Sequence, residues 1–189
     1  MVNLIAAAEH SAGKLVNLLA HHFISFNDST KFERRTVRIM KRPQILVADI
    51  WAAFNGEIYG EFNDIDAITM FAGNNLVHIL RKAKLPLIIM TDYRVPQILH
   101  SLKCLSYAPP LDAAIRTQQL LPSGSSWEVQ LRGCSIWCVE LIKREILRLQ
   151  PEAKVNAILI DFFLYDLAKE REKQGVEAIP HHRCRSIWY

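Results

Sequence analysis

The sequence predicts an all-α protein, and three observations carry that expectation. Apolar residues recur at three- and four-residue spacing along most of the 189 residues, the period of an amphipathic helix rather than a strand. The breaks between these runs hold residues that end helices, among them Asn55-Gly56, Gly73-Asn74-Asn75 and Pro109-Pro110. Half of the chain is hydrophobic and 22% is charged. That supplies a packed core and excludes a disordered chain, a collagenous repeat and a disulfide-stapled miniprotein. No repeat of fixed period and no low-complexity linker occurs, so residues 1–189 read as a single helical domain.

Taken in order, Leu4, Ile5, Ala8, Ala12, Leu15, Leu18 and Leu19 predict one amphipathic helix over residues 2–23, broken by Asn27-Asp28-Ser29. Thr36 to Met40 alternates weakly and reads as a short strand or an extended connection. Pro43 suits the first residue of a helix that runs to Phe54, because its missing N–H needs no partner there. Asp64 is placed to cap a helix through Ile65, Ile68 and Phe71. The run from Leu76 to Met90 contains Pro86, which rules out one continuous helix. Further helices are expected over 96–102 and 111–121. The two longest follow, over 127–150 and 152–173, before a tail with His181-His182-Arg183-Cys184-Arg185.

Charges nearly balance, with 23 Lys+Arg against 19 Asp+Glu and a net charge of +4. No broad nucleic-acid footprint follows, though a local basic pocket for a phosphate fits. The N-terminus lacks a basic leading segment and no stretch of eighteen apolar residues occurs. Neither a secretory signal nor a membrane span is therefore expected, and the protein reads as cytoplasmic. Cys104, Cys134, Cys138 and Cys184 read as small buried hydrophobes of a reducing compartment, with Cys134 and Cys138 sharing a helix face. His181, His182 and Cys184 lack any recognised zinc spacing, so neither metal nor cofactor is expected.

The most informative residue is Asp161, within Ala157-Ile158-Leu159-Ile160-Asp161-Phe162-Phe163-Leu164-Tyr165. Its neighbours three and four residues away are mostly apolar. A carboxylate there must be paired, hydrogen-bonded, protonated or in a pocket. It is either a core aspartate serving a neighbouring helix or arginine, or a functional acid. Asp166 and Glu170 share another face, roughly 140° from Asp161 in the case of Asp166, and by pattern alone form a solvated acidic stripe. Arg132 is a candidate ion-pair partner for a buried acid. No nucleophile elbow, phosphate-binding glycine loop or dinucleotide fingerprint is present.

The strings Met40-Lys41-Arg42-Pro43-Gln44-Ile45-Leu46-Val47-Ala48-Asp49-Ile50-Trp51, Ile68-Thr69-Met70-Phe71-Ala72, Asp92-Tyr93-Arg94-Val95-Pro96-Gln97, Arg132-Gly133-Cys134-Ser135-Ile136-Trp137 and His182-Arg183-Cys184-Arg185 stand out. Together they resemble the queuosine salvage family of queuosine 5′-phosphate N-glycosylase/hydrolases. The resemblance implies an all-helical fold akin to DNA glycosylases. It also implies hydrolysis of the N-glycosidic bond of a small-molecule nucleotide, with release of queuine for tRNA modification. By the same resemblance Asp161 is the catalytic carboxylate, and Phe71, Asp92, Asp166 and Glu170 contact the substrate. A monophosphate needs cationic donors, for which Lys14, Lys41, Arg94, Arg132 and Arg183 are candidates. Phe71-Ala72 and Asp92-Tyr93-Arg94 form one contiguous motif in the family, which makes residues 73–91 an atypical insertion. The family also carries a longer N-terminal portion, so the expectation is an N-terminally truncated C-terminal portion with impaired activity. The alternative is a non-catalytic helical product that binds queuine or a protein partner.

Overall fold

Glu9 and His10 take left-handed backbone angles, with φ of 52° and 59°. They split the single helix expected over 2–23 into α1 (Val2–Ala7) and α2 (Ala12–His22). The apolar period continues across the break, which is why the pattern alone does not reveal it. The start of α2 is secured twice. Ser11 Oγ accepts from the Lys14 amide at 3.1 Å, and the Asp64 carboxylate accepts from the amides of Ala12 and Gly13 and from Ser11 Oγ. Asp64 thus caps a helix far away in sequence, whereas the segment after it forms only a 3-10 turn, Ile65–Ala67.

The computed structural model describes residues 1–69, 93–176 and 178–188. Phe71, Asp92 and the proposed insertion at 73–91 lie outside these residues. Among the described residues, strands β1 (Ser29–Phe32) and β2 (Arg35–Arg38) pair antiparallel through a turn in which Glu33 and Arg34 both have positive φ. Helix α3 (Lys41–Ala53) begins two residues before Pro43, still within the first turn where no N–H is needed. It is followed by α4 (Arg94–Ser101), α5 (Pro109–Arg116), α6 (Ser126–Leu149) and α7 (Ala157–Lys173). The run expected as helix over 111–121 ends at Arg116, because Leu120–Leu121 form strand β3, parallel to β4 (Arg183–Cys184). The protein is mostly α-helical.

Among the described residues, two main apolar cores and a smaller one result. The first joins Leu15 and Leu19 of α2, Val47 of α3 and Ile158 of α7, with Trp51 and Phe162 packed against it. The second joins Ile98 and Leu99 of α4, Val139 of α6 and Ile160 and Leu164 of α7. The third gathers Leu111 and Ile115 of α5 with Leu121 and Leu131. Cys138 and Cys184 are buried as expected, but Cys104 and Cys134 are exposed. Cys134 lies at the edge of the face that buries Cys138, so helical spacing alone did not decide its environment.

Two glycines differ sharply in what a methyl group would meet. A Cβ on Gly60 would stand 2.8 Å from the Ile50 carbonyl oxygen and 2.9 Å from Phe54 Cβ. Gly133, inside α6, has nothing within 4 Å of that position. Gly60→Ala is expected to cost about 1–3 kcal/mol through overpacking. Gly133→Ala is expected to stabilise by about 0.5–1 kcal/mol through helix propensity. Urea midpoints of the two variants check this, and shifts of the same sign would refute it.

Candidate functional site

Helix α7 lies between the two main cores, and its residue order explains why an acid stands at their seam. At roughly 100° per residue, Ile158 and Phe162 fall on one side of Asp161, while Ala157, Ile160 and Leu164 fall on the other. The first pair packs in the α2–α3 core and the second set in the α4–α6 core. Asp161 is therefore 2% exposed. Its Oδ1 has no hydrogen-bond partner among the described residues. Burial pushes its carboxyl well above the usual aspartate range, and the charge of Lys41 opposes that shift.

Lys41, in the first turn of α3, is itself buried. Its Nζ donates to the Trp188 carbonyl at 2.5 Å, and its backbone amide donates to Asp28 Oδ2 at 3.4 Å. Burial pulls its amine down to about 7; Arg132 adds to that shift, and Asp28 and Asp161 resist it. Beyond Lys41 the charges alternate. Arg132 of α6 pairs with both oxygens of Asp28, the Nη1 contact being 3.2 Å to Oδ1. Arg132 Nη1 also reaches Glu128 Oε1 at 3.4 Å, and Glu128 Oε2 accepts from the Gly124 amide at 3.0 Å. All three side chains are buried. The C-terminal tail supplies His182, 3% exposed, whose imidazole is held neutral, down to about 4, by burial and by the neighbouring His181, Arg132 and Lys41.

The charge count of this cluster is instructive. Arg132 pairs with Asp28 and Glu128, whereas ionised Asp161 is favoured by the charge of Lys41, an amine itself pulled down to about 7, and is only partly compensated. Such a group gains most when a positive charge develops beside it, the electrostatic condition for stabilising a cationic transition state. The Cys184 thiol offers no competing nucleophile, since burial and the Glu128 carboxylate push it up to about 11.

Of the residues singled out from sequence, Asp161, Lys41 and Arg132 come together. Lys14 is on the surface, paired with Glu9 at 2.7 Å. Arg94 pairs with Glu172 at 2.8 Å, and Arg183 is exposed, its Nη1 donating to the Gln118 carbonyl at 3.4 Å. Asp166 and Glu170 occupy the exposed face of α7, together with Leu159 and Phe163, and Glu170 accepts from Gln174. Sequence reasoning does not find Asp28, Glu128 or His182 as site residues. Glu128 had a usable signal, four residues before Arg132 on one helix; Asp28 had none, since its only local context is a loop. Among the described residues no group of three His, Cys, Asp or Glu side chains is arranged to hold a metal ion. No described helix is long and apolar enough to cross a membrane.

A family model described as "Queuosine salvage protein" matches residues 1–86 and 85–189. The chain's relatives include proteins named queuosine 5′-phosphate N-glycosylase/hydrolase. The Schizosaccharomyces pombe relative is 41% identical over 98% of this chain and 49% of its own length. The Mus musculus relative is 37% identical over 100% of the chain and 51% of its length, and the Bos taurus relative 36% over the same shares. The chain spans about half the length of these relatives.

Proposed function

This chain belongs to the queuosine salvage family, and from that premise we propose that it hydrolyses the N-glycosidic bond of queuosine 5′-phosphate, releasing queuine, with Asp161 as the catalytic carboxylate. The observation that carries this reading is the buried Oδ1 of Asp161, without a hydrogen-bond partner among the described residues, beside the buried cation Lys41. Cleaving an N-riboside breaks the C1′–N bond and leaves the ribosyl carbon with oxocarbenium character. Asp161, ionised, faces that developing cation and stabilises it more than the neutral ground state. Water then adds to C1′, and its proton balances the departing base. Asp28 and Glu128 keep Arg132 and Lys41 in place rather than reacting, since their oxygens are already engaged.

The rest of the reading is drawn from the family resemblance. Phe71 and Asp92 are the proposed substrate contacts, joined by Asp166 and Glu170. Lys14, Lys41, Arg94, Arg132 and Arg183 are the pool from which the phosphate contacts are drawn, and Lys41 is the member whose charge acts on Asp161. A fold akin to DNA glycosylases, action on a nucleotide rather than on nucleic acid, and a cytoplasmic location complete it. An insertion at 73–91 belongs to the same reading and rests on the separation of Phe71-Ala72 from Asp92-Tyr93-Arg94. Incubation of the purified chain with queuosine 5′-phosphate, followed by chromatographic measurement of free queuine, tests the activity. Bound substrate without queuine release would instead establish a non-catalytic binding protein.

Lys41→Met gives a sharper check. The lysine charge favours ionised Asp161, so its removal raises the aspartate further. The acid limb of the pH–rate profile should then move to higher pH by about one to three units. An unmoved limb in a folded variant would mean that Lys41 has only a structural role.

A further inference from the structure

A second polar site lies away from Asp161, where α4 meets the last turns of α7 and encloses a cavity of about 240 Å³. Ala168, on its wall, follows Asp161 by two helical turns on the same face, about 10 Å along α7. Ala168 belongs to the second core, with Leu164 and Val95. The cavity's lining combines apolar residues, among them Ile98, Ala168 and Val176, with polar ones, among them Arg94, Ser101, Arg171 and Glu172. Arg94 Nη1 donates to Glu172 Oε2 at 2.8 Å, and Arg171 Nη1 donates to Ser101 Oγ at 3.1 Å. Two guanidiniums therefore face one carboxylate, a surplus of one positive charge.

The disposition of these groups points to their ligand. The Arg94 side chain is 17% exposed, whereas that of Glu172 is 64% exposed. Glu172 can turn into water with little loss of packing, freeing Arg94, whose position is fixed by its surroundings. The carbonyl end of α7 favours cations nearby, the sign that both arginines carry. With Glu172 turned away, two forked guanidiniums and a hydroxyl converge on a space that a doubly charged oxyanion matches.

We propose that the α4–α7 cavity binds a small phosphomonoester, its phosphate held by Arg171, Arg94 and Ser101 and its carbon body against Ile98, Ala168 and Val176. This site shares no residue with the Asp161 cluster, takes Arg94 out of the pool of contacts to the substrate's phosphate, and does not rest on the activity proposed above. Amide NMR of the full chain, titrated at constant ionic strength with inorganic phosphate and with ribose 5-phosphate, tests it. Saturable shifts at Ser101, Arg171 and Gly175 are expected, with ribose 5-phosphate the tighter of the two. Arg171→Met is expected to weaken both by about tenfold, the loss of one charged hydrogen-bonding group. Ser101→Ala, which removes only the hydroxyl that orients Arg171, should weaken both in the same direction and serves as the reading if Arg171→Met does not fold. Unchanged affinity in the folded variants, or shifts centred on Lys41 and Asp161, would overturn the proposal. Acetate binding as tightly as phosphate would overturn the ligand class.

Discussion

Asp161→Asn is expected to reduce queuine release by about 10²–10³-fold, the usual cost of removing one preorganised charge from a transition state. Stability should stay level or rise. The amide keeps the shape and removes a buried carboxyl whose Oδ1 has no partner among the described residues. The sign of the pH effect supports the same design. Asp161 titrates above its unfolded value, so its contribution to stability is fully present below the unfolded aspartate pKa. That contribution is lost as pH rises through the folded pKa. The asparagine variant lacks this dependence, and its stability curve against pH should be flatter. A queuine-release assay paired with thermal melts at two pH values reads both outcomes. Activity within threefold of the parent would remove Asp161 from the catalytic role; loss of activity with a collapsed melt would mark it as a structural residue.

Arg132→Met should destabilise the fold by about 3–5 kcal/mol, because it removes the guanidinium that both buried acids, Asp28 and Glu128, face. Most of that cost comes from two carboxylates held out of water without their counter-charge. Adding Asp28→Asn to Arg132→Met should therefore recover part of the stability, the signature of coupled residues in a double-mutant cycle. Urea denaturation of the parent, both single variants and the double variant measures the coupling. Simple additivity of the two single effects would show that Asp28 and Arg132 do not act as a pair.

The helical class was legible because three- and four-residue spacing of apolar side chains is a local property, and α3, α6 and α7 follow it closely. The break between α1 and α2 was not, since positive φ at Glu9 and His10 leaves the apolar rhythm intact. The role of Asp64 was hidden for a related reason. A capping aspartate is recognised from the helical run after it, yet its carboxylate serves the amides of Ala12 and Gly13, more than fifty residues earlier. Strand β1 occupies residues that read only as a helix break, and it exists because Ser29–Phe32 find a partner strand after a left-handed turn.

The candidate site divides along the same line. The sequence by itself marked Asp161, because an acid among apolar neighbours on a helix carries a desolvation cost that any fold must answer. It also suggested Arg132 as a partner for a buried acid, without naming which one. Only the tertiary structure decided that the acid is Asp28, that Lys41 is the cation acting on Asp161, and that His182 closes the cluster from the C-terminal tail. These residues come from a loop, three helices and the tail. Electrostatic pairing depends on distance through space, and chain order carries no record of it until the apolar faces of α3, α6 and α7 have packed.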